Sequence, residues 1–200
     1  MGKMWSLSLI LLVVCSLILQ NSCVLAENET ITCGSVVKLI HQDSGYNVHS
    51  HPIAWGSGSG QQSVTATPDK NNAGSMWIIK DATTTQIACE VGQPIMCNTN
   101  IRLEHSQTMK NLHSHLFKAA LSGNQEVSAF GDDGRGDTGD NWIVRCDNAR
   151  EKYWRRNMPV HFEHAGTCHM CVSCVCVCRA LALRPKSFAN TNPPPFILIS

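Results

Sequence analysis

Seven of the nine histidines in this 200-residue chain recur at matching positions. The pairs His49/His51 and His113/His115 have the spacing that places both rings on one face of a β-strand. Imidazoles so placed could ligate a divalent metal or line a ligand pocket. Each pair follows an asparagine, so the candidate binding residues are Asn47, His49, His51, Asn111, His113 and His115. No acidic or thiol ligand recurs beside them in sequence. Their symmetric recurrence favours a structural role in turns, with the rings satisfied by backbone hydrogen bonds, and neither a metal nor another cofactor is expected.

Cysteines offer a second chemistry. Cys33, Cys89, Cys97 and Cys146 are spread through the body of the chain, and four cysteines allow three connectivities. Pairing Cys33 with Cys89 and Cys97 with Cys146 preserves an internal symmetry described below. Cys168, Cys171, Cys174, Cys176 and Cys178 are different, crowding 11 positions. Two CxxC pairs sharing Cys171 suggest a zinc knuckle, but structural zinc sites normally join separated pairs. Alternating Cys-Val is also what a TG nucleotide repeat encodes, so this stretch reads better as a disordered tail or a gene-model artefact. Arg135-Gly136-Asp137 spells an integrin-type tripeptide, a common accident in a Gly/Asp-rich turn. Nucleophile elbow, P-loop, HExxH and dinucleotide fingerprint are all lacking, and no enzymatic activity is expected.

The elements that hold these residues are repeated. Val37-Lys38-Leu39-Ile40-His41 matches Ile101-Arg102-Leu103-Glu104-His105, and Asn47-Val48-His49-Ser50-His51 matches Asn111-Leu112-His113-Ser114-His115. Gly60 to Ala66 matches Gly123 to Ala129, and Trp77-Ile78-Ile79-Lys80 matches Trp142-Ile143-Val144-Arg145. A third copy opens with Val160-His161-Phe162-Glu163-His164 and stops after Gly166. Apolar residues alternate within each block, the period of a half-buried strand, and Gly, Ser, Asn and Asp fill the intervals. No helical stripe follows the first 26 residues. Short strands in about three repeats predict an all-β fold with threefold pseudosymmetry, for which the β-trefoil is the natural candidate; propellers need more blades.

Lys3 followed by the apolar run Leu7–Leu19 and Val24-Leu25-Ala26 predicts a secretory signal peptide over residues 1–26. In an oxidising lumen thiols tend to pair. Asn28-Glu29-Thr30 is the one N-glycosylation sequon, making Asn28 the candidate acceptor. Residues 27–167 carry 15 acidic and 12 basic side chains, and residues 168–200 carry three basic and no acidic ones. That distribution lacks the basic stripe of a nucleic-acid footprint. No later segment is apolar enough to span a membrane.

The blocks Thr32–Leu39, Gly56–Thr65, Asn111–His115 and Leu121–Gly131 resemble, in order, those of the MIR-domain family, and more narrowly the stromal cell-derived factor 2 proteins of the endoplasmic reticulum. The resemblance covers about residues 31–166. It implies a β-trefoil of MIR motifs over residues 27–167, with the third lobe incomplete, and a Cys/Pro-rich tail over 168–200. It also implies a non-enzymatic lumenal protein that works in quality control with a DnaJ-type co-chaperone, an Hsp70-type chaperone and misfolded clients. The family usually ends in an HDEL-like retrieval signal. This chain ends Phe196-Ile197-Leu198-Ile199-Ser200, which leaves secretion as the alternative to lumenal residence. A glycan-binding trefoil, or an accessory factor to protein O-mannosylation, is the other function compatible with repeated shallow lobes.

Overall fold

The computed structural model describes residues 29–83, 89–120 and 122–167, the strand backbone of 176–182, and Cys15. The expected signal peptide and Asn28 lie outside the described residues. Ten strands are present: β1 (Val36–His41), β2 (Asn47–Ala54), β3 (Gln62–Thr67), β4 (Trp77–Asp81), β5 (Asn100–His105), β6 (Asn111–Lys118), β7 (Gln125–Phe130), β8 (Trp142–Cys146), β9 (Pro159–His164) and β10 (Cys176–Ala182). Two single 3-10 turns, Ala73–Ser75 and Thr138–Asp140, are the helical elements between them. Among the described residues no helix is long and apolar enough to cross a membrane.

Alternation explains which face of each strand is buried. Val37 and Leu39 on β1, Ile101 and Leu103 on β5, and Val160 and Phe162 on β9 point into a common core with Ile79, Val144, Trp77, Trp142 and Trp154. The two buried indoles of the repeats also spend their one donor in the same way. Trp77 Nε1 donates to the Val48 carbonyl at 3.1 Å and Trp142 Nε1 to the Leu112 carbonyl at 2.8 Å. An indole N–H buried without such a partner would carry a desolvation cost.

All strand pairings are antiparallel, and they close the sheet. One circuit runs through seven strands, β1-β2-β3-β7-β6-β5-β4, sealed by β5–β6; another runs β1-β4-β5-β8-β9-β10, sealed by β10–β1. Closure removes the unpaired edges on which chains aggregate. The hairpins β2–β3 and β6–β7 shift register at equivalent places, between Ser50 and Ala54 and between Ser114 and Lys118.

A cyclic set of backbone hydrogen bonds spans the three copies. Ile31 N–H donates to the Trp154 carbonyl, Ile95 N–H to Ile31, and Trp154 N–H to Ile95, each at 2.9 Å. All three side chains are buried. Next to them, Cys33 pairs with Cys89 and Cys97 with Cys146, each bridge lying within one repeat. By restricting the unfolded chain, each contributes about 2–4 kcal/mol.

Seven residues of the Cys/Pro-rich tail, Cys176–Ala182, form β10, where the sequence suggests disorder; residues 168–175 and 183–200 lie outside the described residues. The register of β10 is that of β4 and β8. His105 faces Trp77, His164 faces Trp142, and His41 faces Cys178. Likewise Val37 faces Trp77, Ile101 faces Trp142 and Val160 faces Cys178. The physical reason is the open backbone of β1 and β9, whose N–H and C=O groups need partners that a strand between them supplies.

Candidate functional site

The histidines ending β5 and β9 tie one repeat to the next. His105 Nε2 lies 3.0 Å from the Gly74 carbonyl in the preceding 3-10 turn, and His164 Nε2 lies 2.9 Å from that of Gly139. A carbonyl only accepts, so Nε2 carries the proton in both rings and Nδ1 is the acceptor. Nδ1 then receives the hydroxyl of Thr108 at 2.9 Å, or of Thr167 at 2.7 Å. Those hydroxyl oxygens accept in turn from Gln62 Nε2 at 2.9 Å and Gln125 Nε2 at 2.7 Å. The glutamines also donate to Ser50 and Ser114, whose hydroxyls end on the carbonyls of Ser63 and Glu126. Each chain of donors and acceptors is satisfied only by neutral imidazole. Burial accordingly holds the pKa of both His105 and His164 below the ordinary histidine value.

The rings at 49 and 113 sit on the glycines of the same turns. A Cβ on Gly74 would lie 2.4 Å from His49 Cε1, and one on Gly139 would lie 2.4 Å from His113 Cε1, so contact rather than backbone angle selects glycine here. His49 stacks on His51, with ring centroids 5.3 Å apart, and the Nδ1 atoms of both are buried without a hydrogen-bond partner among the described residues. Burial first, then the neighbouring His51 and His105, push the His49 pKa down to about 4. Asn47 donates to the Thr67 carbonyl at 3.4 Å.

The second repeat differs in charge. His113 Nδ1 lies 2.9 Å from Asp140 Oδ1 and 3.7 Å from Asp137 Oδ1, and Asn111 Nδ2 lies 3.5 Å from Asp140 Oδ2. His113, Asn111 and Asp140 are buried, whereas Asp137 faces solvent. The two acids form a capping box: Asp137 accepts the Gly139 N–H at 2.7 Å and Asp140 accepts the Asp137 N–H at 2.8 Å. His115 Nε2 stands 3.4 Å from Glu126 Oε1, and Glu126 reaches across to accept the Ser59 amide at 3.3 Å.

The chain therefore brings Asn111 and His113 together with two acids, and keeps His49 and His51 together without them. Sequence reading overlooked Asp140 and Glu126 and took Asp137 only as part of an Arg-Gly-Asp triplet. A signal was present: at the Trp-block offset Asp137 falls over Asn72 and Asp140 over Ser75, so this turn changes from neutral to acidic between copies. Asp137 is occupied as a cap rather than displayed at a loop tip.

No family model matches the chain. Over 137 residues it is 50% identical to bovine stromal cell-derived factor 2, covering 68% of this chain and 63% of that protein. The chain thus spans less than two thirds of the curated relative's length. Its fold matches the crystal structure of the SDF2-like protein from Arabidopsis thaliana with a TM-score of 0.66 and 37% identity, covering 79% of this chain and 90% of that one. A fold-level likeness extends to the Saccharomyces cerevisiae protein O-mannosyltransferase Pmt1-Pmt2 complex bound to the sugar donor, with a TM-score of 0.61 and 23% identity over 80% of this chain and 24% of that one. With half of the aligned residues shared with one relative and nine tenths of a solved SDF2-like chain covered, this chain belongs to the stromal cell-derived factor 2 family.

Proposed function

We propose that this protein is a non-enzymatic adaptor of the endoplasmic-reticulum lumen, built as a β-trefoil of MIR repeats, that assists a DnaJ-type co-chaperone and an Hsp70-type chaperone in holding misfolded clients. The observation that carries the reading is family membership, since the identity extends over most of a solved SDF2-like chain. The cyclic hydrogen bonds among Ile31, Ile95 and Trp154 support the trefoil assignment, because they are what three equivalent lobes around one axis would make. The histidine chains support a binding rather than a catalytic role. They are absorbed in joining lobes and hold neutral rings between fixed partners, which leaves them no proton to exchange with a substrate.

Residues 1–26 act in this reading as a removable signal, Asn28 as a glycosylation acceptor, and the chain after Thr167 as a divergent third lobe. Affinity capture from lumenal extract tests the proposal. Recovery of a J-domain co-chaperone and its Hsp70 partner is the expected result. Binding of defined sugars on a glycan array, with neither chaperone recovered, overturns it in favour of a lectin-like module. Sequencing the transcript across the codon for Thr167 tests the tail: a message running on into a strand–turn–strand motif would assign residues 168–200 to a gene-model error.

A further inference from the structure

We propose that His113, Asp137 and Asp140 form a binding site for a divalent transition-metal ion, with Mn²⁺ the suitable probe. One ligand atom from each of the three lies within 4.8 Å of the other two. The separations of 2.9 Å and 3.7 Å from His113 Nδ1 to the two carboxylate oxygens are edges that a single ion can span with bonds of about 2.0–2.2 Å. One imidazole nitrogen and two carboxylate oxygens suit manganese and its first-row neighbours. Two of the three groups are held rigidly inside the molecule, and the exposed Asp137 leaves one side open to water and to the entering ion.

Two observations set this corner apart from an ordinary capped turn. First, the same turn is built without acids in the first repeat. There Asn72 caps Gly74 at 2.9 Å and Ser75 occupies the place of Asp140, so neither carboxylate is needed for the fold of the turn. Second, Asn111 is fully buried against Asp140, yet its Oδ1 has no hydrogen-bond partner among the described residues. Turning that amide over would bring Oδ1 to Asp140 Oδ2, an arrangement that repels without a cation between them and supplies a further oxygen ligand with one. Asn47 has the same unpartnered Oδ1 in the first repeat but no carboxylate beside it, which makes that lobe an internal control. On binding, the ion takes the Nδ1 lone pair and the proton there passes to solvent.

The test titrates the full oxidised chain with Mn²⁺, counting bound ion by electron paramagnetic resonance and following the paramagnetic broadening of each histidine ring. Manganese is chosen because the tail thiols prefer softer metals. The informative variants, Asp137→Asn and Asp140→Ser, install the residues that the first repeat already carries, and each is checked for an unchanged melting curve. One ion per chain is expected, with broadening centred on His113. Affinity should fall at least about tenfold in either variant, as loss of even an outer partner does at metal sites. The paired change Asn72→Asp with Ser75→Asp should create a second site that broadens His49. Should Asp140→Ser fail to fold, the solvent-facing Asp137→Asn decides alone. Equal binding by the wild type and Asp137→Asn, or no ion bound by the wild type, overturns the proposal.

Discussion

His49, His105 and His164 are buried bases held neutral by their surroundings, and this sets the response of the protein to acid. Their pKa values are lowered on folding, that of His49 from 6.5 to about 4, chiefly by desolvation. The unfolded chain therefore binds protons that the folded chain refuses. The stability involved is fully present above pH 6.5 and is lost as the pH falls from there toward 4. Urea midpoints measured between pH 7 and 4 should drop steadily, and His49→Asn should flatten the decline. Parallel curves for wild type and variant would count against His49 as a contributor. His51, His105 and Asp69 also act on this ring, so residual slope in the variant is expected from His105. The glutamines offer a second test at this scale. Gln62→Leu and Gln125→Leu each remove a buried donor to two hydroxyls, costing about 1–3 kcal/mol. Because the two networks are equivalent, the two losses in chemical denaturation should agree within about 1 kcal/mol.

Among the elements, the 3-10 turns decide how closely neighbouring lobes approach. Gly74 lies under His49 and against the Ser50 carbonyl, while its own carbonyl receives His105, so this one residue touches both repeats. Gly74→Ala would place a methyl 2.5 Å from that carbonyl and should cost about 1–3 kcal/mol through overpacking, read as a lowered thermal midpoint. Gly139→Ala should do the same, with His113 and Ser114 in the corresponding roles. A comparable exposed glycine, Gly45, has open space around its Cβ position and adopts a positive φ of 70°, so its replacement acts through backbone strain alone. The exposed apolar residues Ile53, Leu116 and Phe117 at the ends of β2 and β6 occupy matching positions on the two hairpins, but no buried contact depends on them.

For the molecule as a whole, the closed circuit depends on β10. A chain ending at Thr167 would leave β1 and β9 with unpaired backbone facing one another, and such edges associate. Light scattering after size-exclusion chromatography should show this truncated form as oligomers or aggregate under conditions where the full chain is monodisperse. A monodisperse, cooperatively melting truncation would show that the circuit closes without β10. Much of this architecture is legible in the sequence. The alternating Val37/Leu39, Ile101/Leu103 and Val160/Phe162 state the buried face of each strand, since side-chain period follows directly from extended backbone. The repeat blocks likewise mark where hairpins and turns recur, and the paired histidines mark where something constrains the ring. What the rings touch is a different kind of information. His105 and His164 are satisfied by turns 31 and 25 residues away, and His113 meets Asp140 across 27. Those partners exist only once the sheet has closed. The same holds for the choice among three cysteine connectivities and for the insertion of Cys176–Ala182 beside β1. Local pattern records how each residue meets water, whereas contacts between repeats depend on ring closure, and only the tertiary structure carries that.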